Sequence, residues 1–182
     1  TNAAGDGRGE DRLNFLRGDR SKEGIGFRKR SSRLGDIINS GVVFSGVPAS
    51  NIPDADYSSF VAANASRVTA VFVGANDGML HAFNADTMDE LFAYIPSWLG
   101  GKLNTLTDVN YNSGLHTSYV DATPTVGDAK IGADWKTVLV SGTGGGGRGV
   151  FALDVTQPDS FNASNVLWEF SNRDDADLGN VV

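Results

Sequence analysis

The chain of 182 residues contains no cysteine and only two methionines, two histidines and five prolines. Without cysteine there are no disulfides and no thiolate metal sites, and two histidines without paired spacing give no transition-metal motif. The lack of cysteine leaves the compartment open, because secreted and cytosolic proteins alike can do without it. No apolar run approaches the ~20 residues that a membrane-crossing helix needs, and no basic, apolar, small-residue signal pattern stands at the start. Thr1-Asn2-Ala3 in place of a methionine reads as a processed or excised chain. Positive charge is also scarce beyond the head. Residues 1–33 hold nine Lys/Arg and five Asp/Glu, whereas 34–182 hold six and seventeen. An acidic body repels phosphate backbones, so nucleic acid is not an expected partner. The basic head is free to dock on an acidic surface of its own protein.

What the chain has in quantity is glycine, 23 residues, beside 40% hydrophobic and 20% charged residues, an ordinary globular composition able to bury one core. The glycines punctuate a repeat. Val68 to Pro96 and Lys136 to Phe170 each read as an apolar strand, a glycine turn, a strand ending in a carboxamide or carboxylate, a polar loop and an aromatic strand. Short-stranded units recurring about 70 residues apart are the mark of β-propeller blades. The expected fold is all-β: an incomplete propeller of about two four-stranded antiparallel blades, quinoprotein-like, with short helical insertions. A polar and basic lead-in spans 1–33, and a partial propeller spans 34–182, with blades over roughly 34–97 and 120–171 and the start of a further blade at 178–182. Two blades cannot close a ring, so the unit belongs to a longer protein or is completed by a partner.

Within that frame, residues 1–10 read as a mobile lead-in and Asp11–Leu16 as a helical turn stopped by Gly18. Ser21–Ser32 reads as a loop, Ile37–Val47 as a strand and Pro48–Ser66 as a loop. Val68–Gly74, Met79–Asn84 and Leu91–Ile95 are strands around the tight Asn76-Asp77-Gly78 turn. The three- and four-residue spacing of Trp98, Leu99, Leu103 and Leu106 suits a short helix over the blade edge, followed by an irregular connection to Asp121. Thr125–Ile131, Lys136–Ser141, Gly149–Val155 and Val166–Phe170 make the second blade.

Few groups suggest chemistry. Arg17-Gly18-Asp19 is the tripeptide read by integrins, with the carboxylate offered to a receptor metal; the competing reading is local pairing at a helix end. Gly142–Gly147 satisfies G-x-G-x-x-G, but Arg148–Leu153 follows as a strand with no helix, which makes a hairpin the better reading than a dinucleotide loop. Asp174, Asp175 and Asp177 offer oxygen ligands but lack the glycine and closing glutamate of a calcium loop. His81 alternates in a strand as a hydrogen-bonded structural residue. Arg28, Lys29, Arg30 and Arg33 form a basic run without interleaved aromatics, hence a solvated or self-docking loop. Trp98, Trp135 and Trp168 are assigned to packing between blades.

The stretches NFLRGDRS (Asn14–Ser21), FRKRSSRLGDIINS (Phe27–Ser40), VFVGANDGMLHAFNADT (Val71–Thr87), FAYIPS (Phe92–Ser97), VDATPTVGDAKIG (Val120–Gly132), WKTVLVSGTGGGGRGVFALDVT (Trp135–Thr156) and DDADLG (Asp174–Gly179) resemble the propeller domain of the PilC/PilY family of pilus-tip proteins. The resemblance covers nearly the whole chain, in the family's order. Ser40-Gly41 lacks the expected proline, and Thr87-Met88-Asp89 stands where the family has a threonine-glycine turn. The resemblance implies a C-terminal propeller of a large secreted protein at the bacterial surface, acting without catalysis in type IV pilus biogenesis, twitching motility and adhesion. Minor pilins or other pilus-tip subunits, and a host surface receptor, are the implied partners. It also implies a calcium loop in the intact propeller, but no matching string stands in this chain, so no cofactor is assigned here. Two alternatives remain beside this reading: a quinoprotein-type dehydrogenase fragment, and an integrin-binding module acting through Arg17, Gly18 and Asp19.

Overall fold

The computed structural model describes residues 5–181. Eight strands form two separate four-stranded antiparallel sheets, each in simple chain order. The first comprises β1 (Val43–Ser45), β2 (Ala70–Gly74), β3 (Leu80–Asn84) and β4 (Glu90–Tyr94). The second comprises β5 (Thr125–Ile131), β6 (Asp134–Gly142), β7 (Gly149–Asp154) and β8 (Val166–Ser171). These are two blades of an unclosed propeller.

The blades superpose in register. Phe72, Ala82 and Phe92 lie in one row across the first sheet, and Val140, Ala152 and Trp168 in one row across the second. Each third strand carries its irregularity immediately after the middle residue of that row, at Ala82/Phe83 and at Ala152/Leu153. The inner strands end in glycines of one purpose. A Cβ on Gly74 would stand 2.4 Å from the Val120 carbonyl oxygen, and one on Gly142 2.4 Å from that of Val181, so the outgoing chain crosses each blade where no side chain fits.

The core lies between the sheets, because successive strand residues point to opposite faces. Ala70, Phe72, Leu80, Ala82 and Tyr94 of the first blade meet Leu139, Phe151 and Leu153 of the second in one buried cluster. Aromatic contacts fasten the outer strands: Phe92 stacks on Phe161 with centroids 3.8 Å apart, and Tyr94 lies 5.0 Å from Phe151. Glu169 on β8 accepts hydrogen bonds from the Tyr94 hydroxyl and the Ser97 amide of the first blade. On the inner side, buried Arg67 donates to Gly46 O and Ser45 Oγ of its own blade and to Thr137 Oγ1 (2.6 Å) and Thr156 O of the next. The register equivalents of these contact faces are left uncovered at both ends of the pair. Val140, Trp168 and Phe170 (40% exposed) form one such face, and Phe44 (62% exposed), Val71 and Phe83 the other. Trp168, assigned to packing between blades, therefore stands on an open face, while Trp98 packs on Phe151 and Trp135 on Tyr57.

Four local expectations change. The strand expected over Ile37–Val47 contracts to Val43–Ser45, because the preceding segment bonds elsewhere. Asp36 O accepts from the Asn76 amide and Ser40 Oγ from the Gly74 amide, while the Asn39 and Gly41 amides donate to Asp121 and Thr123. The loop expected over Pro48–Ser66 contains helix α2 (Ala55–Ala63), capped by Asp54 Oδ1 on the Asp56 amide. Its buried Tyr57 bonds Asp128 Oδ2 at 2.6 Å. The single helix expected near Trp98 is two short 3-10 helices, Ser97–Gly101 and Leu103–Thr107, divided after Gly100-Gly101. Residues 178–181 form no strand, the Val181 carbonyl accepting from the Gly144 amide at 2.9 Å, and Val182 lies outside the described residues. At the other end, residues 1–4 of the expected lead-in lie outside them too, and helix α1 (Gly9–Leu16) begins before residue 10.

Candidate interaction site

Helix α1 packs Phe15 and Leu16 inward and ends at Arg17. Gly18 then takes φ +99°, a left-handed stop that glycine adopts without strain. Arg17 and Asp19 are exposed on this turn. Arg17 and Asp19 make no ion pair with each other among the described residues; the Asp19 carboxylate instead accepts from the Ser21 amide (2.7 Å) and hydroxyl (2.9 Å), which lowers its pKa. The backbone of the turn is clamped. Arg33 Nε donates to Gly18 O at 2.9 Å and Arg30 Nη2 to Asp19 O at 2.8 Å.

The basic run of the head thus serves mainly to fasten it. Arg30 is buried, paired with Glu23 at 2.7 Å and bonded to Phe15 O. Arg28 donates to Leu106 O at 2.6 Å and lies over the Tyr111 ring. Lys29 points to solvent.

Between α1 and the uncovered face of the first sheet runs a groove of about 620 Å³. Leu13, Leu16, Met79 and Phe83 form its apolar wall, and Arg17, Gly18 and Arg33 stand at its rim. His81 and Glu90 also line it. His81 is buried, with Nδ1 2.6 Å from Glu90 Oε1 and Nε2 3.1 Å from Asp77 Oδ2, its ring stacked beside Phe83. Burial is the largest single influence on the imidazole and pushes its pKa down, but hydrogen bonds and charge from Asp77 and Glu90 together outweigh it and hold the pKa above the usual histidine value. Asp77 also accepts from the Gly35 amide at 2.7 Å, tying the head's linker to the blade turn. His81 was legible as a hydrogen-bonded strand residue; its two carboxylate partners and its place in a groove were not.

The remaining sequence candidates stand apart from this groove. Asp174 accepts from the Ser171 amide and hydroxyl, and Asp175 from the Asp177 amide, so two of the three carboxylates cap their own turns. Among the described residues no group of three or more His, Asp or Glu could hold a metal ion. With two of their carboxylates engaged by their own turns and no closing glutamate after them, these residues do not fit a calcium loop. The glycine loop after β6 is a close-packing device: a Cβ on Gly146 would lie 1.5 Å from Tyr119 O, and one on Gly149 2.5 Å from the Trp98 ring.

The sequence pattern of the PilY1 beta-propeller domain matches residues 34–181. The chain belongs to the PilY1 β-propeller family. It is 44% identical to the type IV pilus biogenesis factor PilY1 of Pseudomonas aeruginosa strain UCBPP-PA14 over 182 residues, covering 96% of this chain and 15% of that protein. A PilY1 homolog of Xylella fastidiosa is 44% identical over 184 residues, covering 92% of this chain and 12% of its own length. The crystal structure of the P. aeruginosa PilY1 C-terminal domain matches with a TM-score of 0.53 and 42% identity, over 68% of this chain and 22% of that one. The chain therefore spans about a seventh of the PilY1 relatives it matches.

Proposed function

We propose that this chain is a non-enzymatic part of the type IV pilus tip, working by presenting propeller loops to pilus subunits and to surfaces or host cells. The observation that carries this reading is the match to PilY1 proteins along nearly the whole chain, joined to an architecture whose recognisable sites are contact surfaces. The relatives are named biogenesis factors, which favours assembly over a quinoprotein-type dehydrogenase activity. Minor pilins or other tip subunits are the proposed partners, and the cell surface the proposed location. Size exclusion with light scattering, on the chain alone and mixed with candidate pilus subunits, tests this. A compact complex formed only in the mixture is expected; a stable monomer that ignores every subunit refutes it.

A second reading has its own support in the exposure of Arg17 and Asp19 on a glycine turn. In that reading Arg17-Gly18-Asp19 engages an integrin of a host cell. Asp19→Glu then abolishes cell attachment while leaving the fold intact, and equal attachment by the variant removes the reading.

A further inference from the structure

The cavity beside the glycine loop of the second blade has an electrostatic character opposite to that of the chain around it. The protein carries a formal charge of −7, and residues 34–182 supply all of that excess. Yet Lys102, Arg148 and Arg173 converge on a cavity of about 470 Å³ whose lining contains no carboxylate. None of the three makes an ion pair among the described residues, where Lys136, Lys130 and Arg30 each hold one. The nearby acids are engaged elsewhere, Glu169 by Tyr94 and Ser97 and Asp174 by Ser171.

The three cations are held in different ways. Lys102 is fixed: its ammonium donates to Ser118 O at 2.7 Å and to Gly146 O, and lies 4.5 Å over the Tyr119 ring. Burial without a counter-charge pushes its pKa below the usual lysine range. Arg148 and Arg173 are exposed at the mouth, and Arg173 touches only the Trp98 carbonyl, at 3.4 Å. Asn172 and Asn180 line the same cavity with Trp98, whose buried indole N–H has no hydrogen-bond partner among the described residues. An anchored ammonium with two guanidinium forks that hold no carboxylate is a donor set for oxyanions, the forks matching carboxylate or phosphate edge-on. The volume falls in the range of small-ligand sites.

We propose that this cavity binds a small molecule carrying a phosphate or clustered carboxylates, with Lys102 as the fixed charge and Arg148 and Arg173 closing on the oxygens. The site is separate from the Arg17–Asp19 turn and from the His81 groove, and does not depend on either.

The test uses the 182-residue chain, labelled for NMR, with inorganic phosphate in one titration and citrate in another at constant ionic strength. The Gly146 and Gly147 amides report binding. Saturable shifts at low-millimolar concentration are expected, weakened about tenfold by Arg148→Gln or Arg173→Gln, each removing one charge-assisted contact, and unchanged by Lys29→Gln in the head. Saturation by phosphate alone identifies a phosphate ligand, and by citrate alone a carboxylate one. Shifts that never saturate, or that survive both arginine replacements, overturn the proposal. Each arginine variant is read separately, so misfolding of one leaves the other to decide.

Discussion

Arg67→Met tests how the blades are joined. The replacement keeps an apolar stem but removes the guanidinium that reaches Ser45 and Gly46 in one blade and Thr137 and Thr156 in the next. Hydrogen bonds to a charged donor contribute about 1.5–3 kcal/mol each. Five from one group do not add, and removing a buried cation recovers part of its desolvation cost. Asp128, whose charge favours the protonated guanidinium, keeps donors from Tyr57 and Thr137. The net loss worked from these contacts is about 2–4 kcal/mol, a fall in melting temperature of about 5–15 °C for a chain of this size. Urea unfolding measures it as a lower midpoint at unchanged slope. A double-mutant cycle with Thr137→Val should return a coupling of about 1 kcal/mol or more, since the 2.6 Å bond crosses the blade boundary. A loss below about 0.5 kcal/mol with no coupling would show that the aromatic contacts hold the pair and that Arg67 does not, refuting the reasoning.

Met88 is the only described non-glycine residue with positive φ, at +63°, and its side chain is 62% exposed. Met88→Gly should therefore raise stability by up to about 1 kcal/mol in thermal melts; a destabilised variant would mean the Met88 side chain is held by contacts of its own. The raised folded-state pKa of His81 makes its stabilising contribution complete below the ordinary histidine value of about 6.5, and lost as pH climbs through the higher folded value. The urea midpoint should fall across that alkaline window, and His81→Phe, the residue at the equivalent register position in β7, should flatten the slope. Gly146→Ala places a Cβ against the Tyr119 backbone and should cost several kcal/mol; a well-dispersed NMR spectrum at wild-type melting temperature would contradict the close approach.

The strands were legible where the chain forms them by alternation or continuous apolarity. Thr125–Ile131 runs as read, and the Asn76-Asp77-Gly78 turn falls where positive φ is cheap, with Gly78 at +99°. Helix α2 was missed because Pro53, Asp54 and Asp56 read as a turn, although Asp54 is its N-cap and Tyr57, Phe60 and Val61 follow at helical spacing. The strand at Ile37–Val47 was overread because β-branched residues do not reveal that the Asn39 and Gly41 amides are bound to residues 82 positions away. The same distance hides the sites. Arg17-Gly18-Asp19 is visible as a string, but its neighbourhood with His81 depends on how α1 lies on the sheet, and the convergence of Lys102, Arg148 and Arg173 depends on a glycine loop folding beneath a connection.

The two blades share one register, and on their third strands His81 stands where the second blade has Phe151. Phe151 is sealed between blades, whereas His81 with Asp77 and Glu90 lies on the uncovered side. A blade packed on that side would have to cover an imidazole bonded to two carboxylates instead of a phenyl group, a surface more selective about its partner than the joint inside the pair.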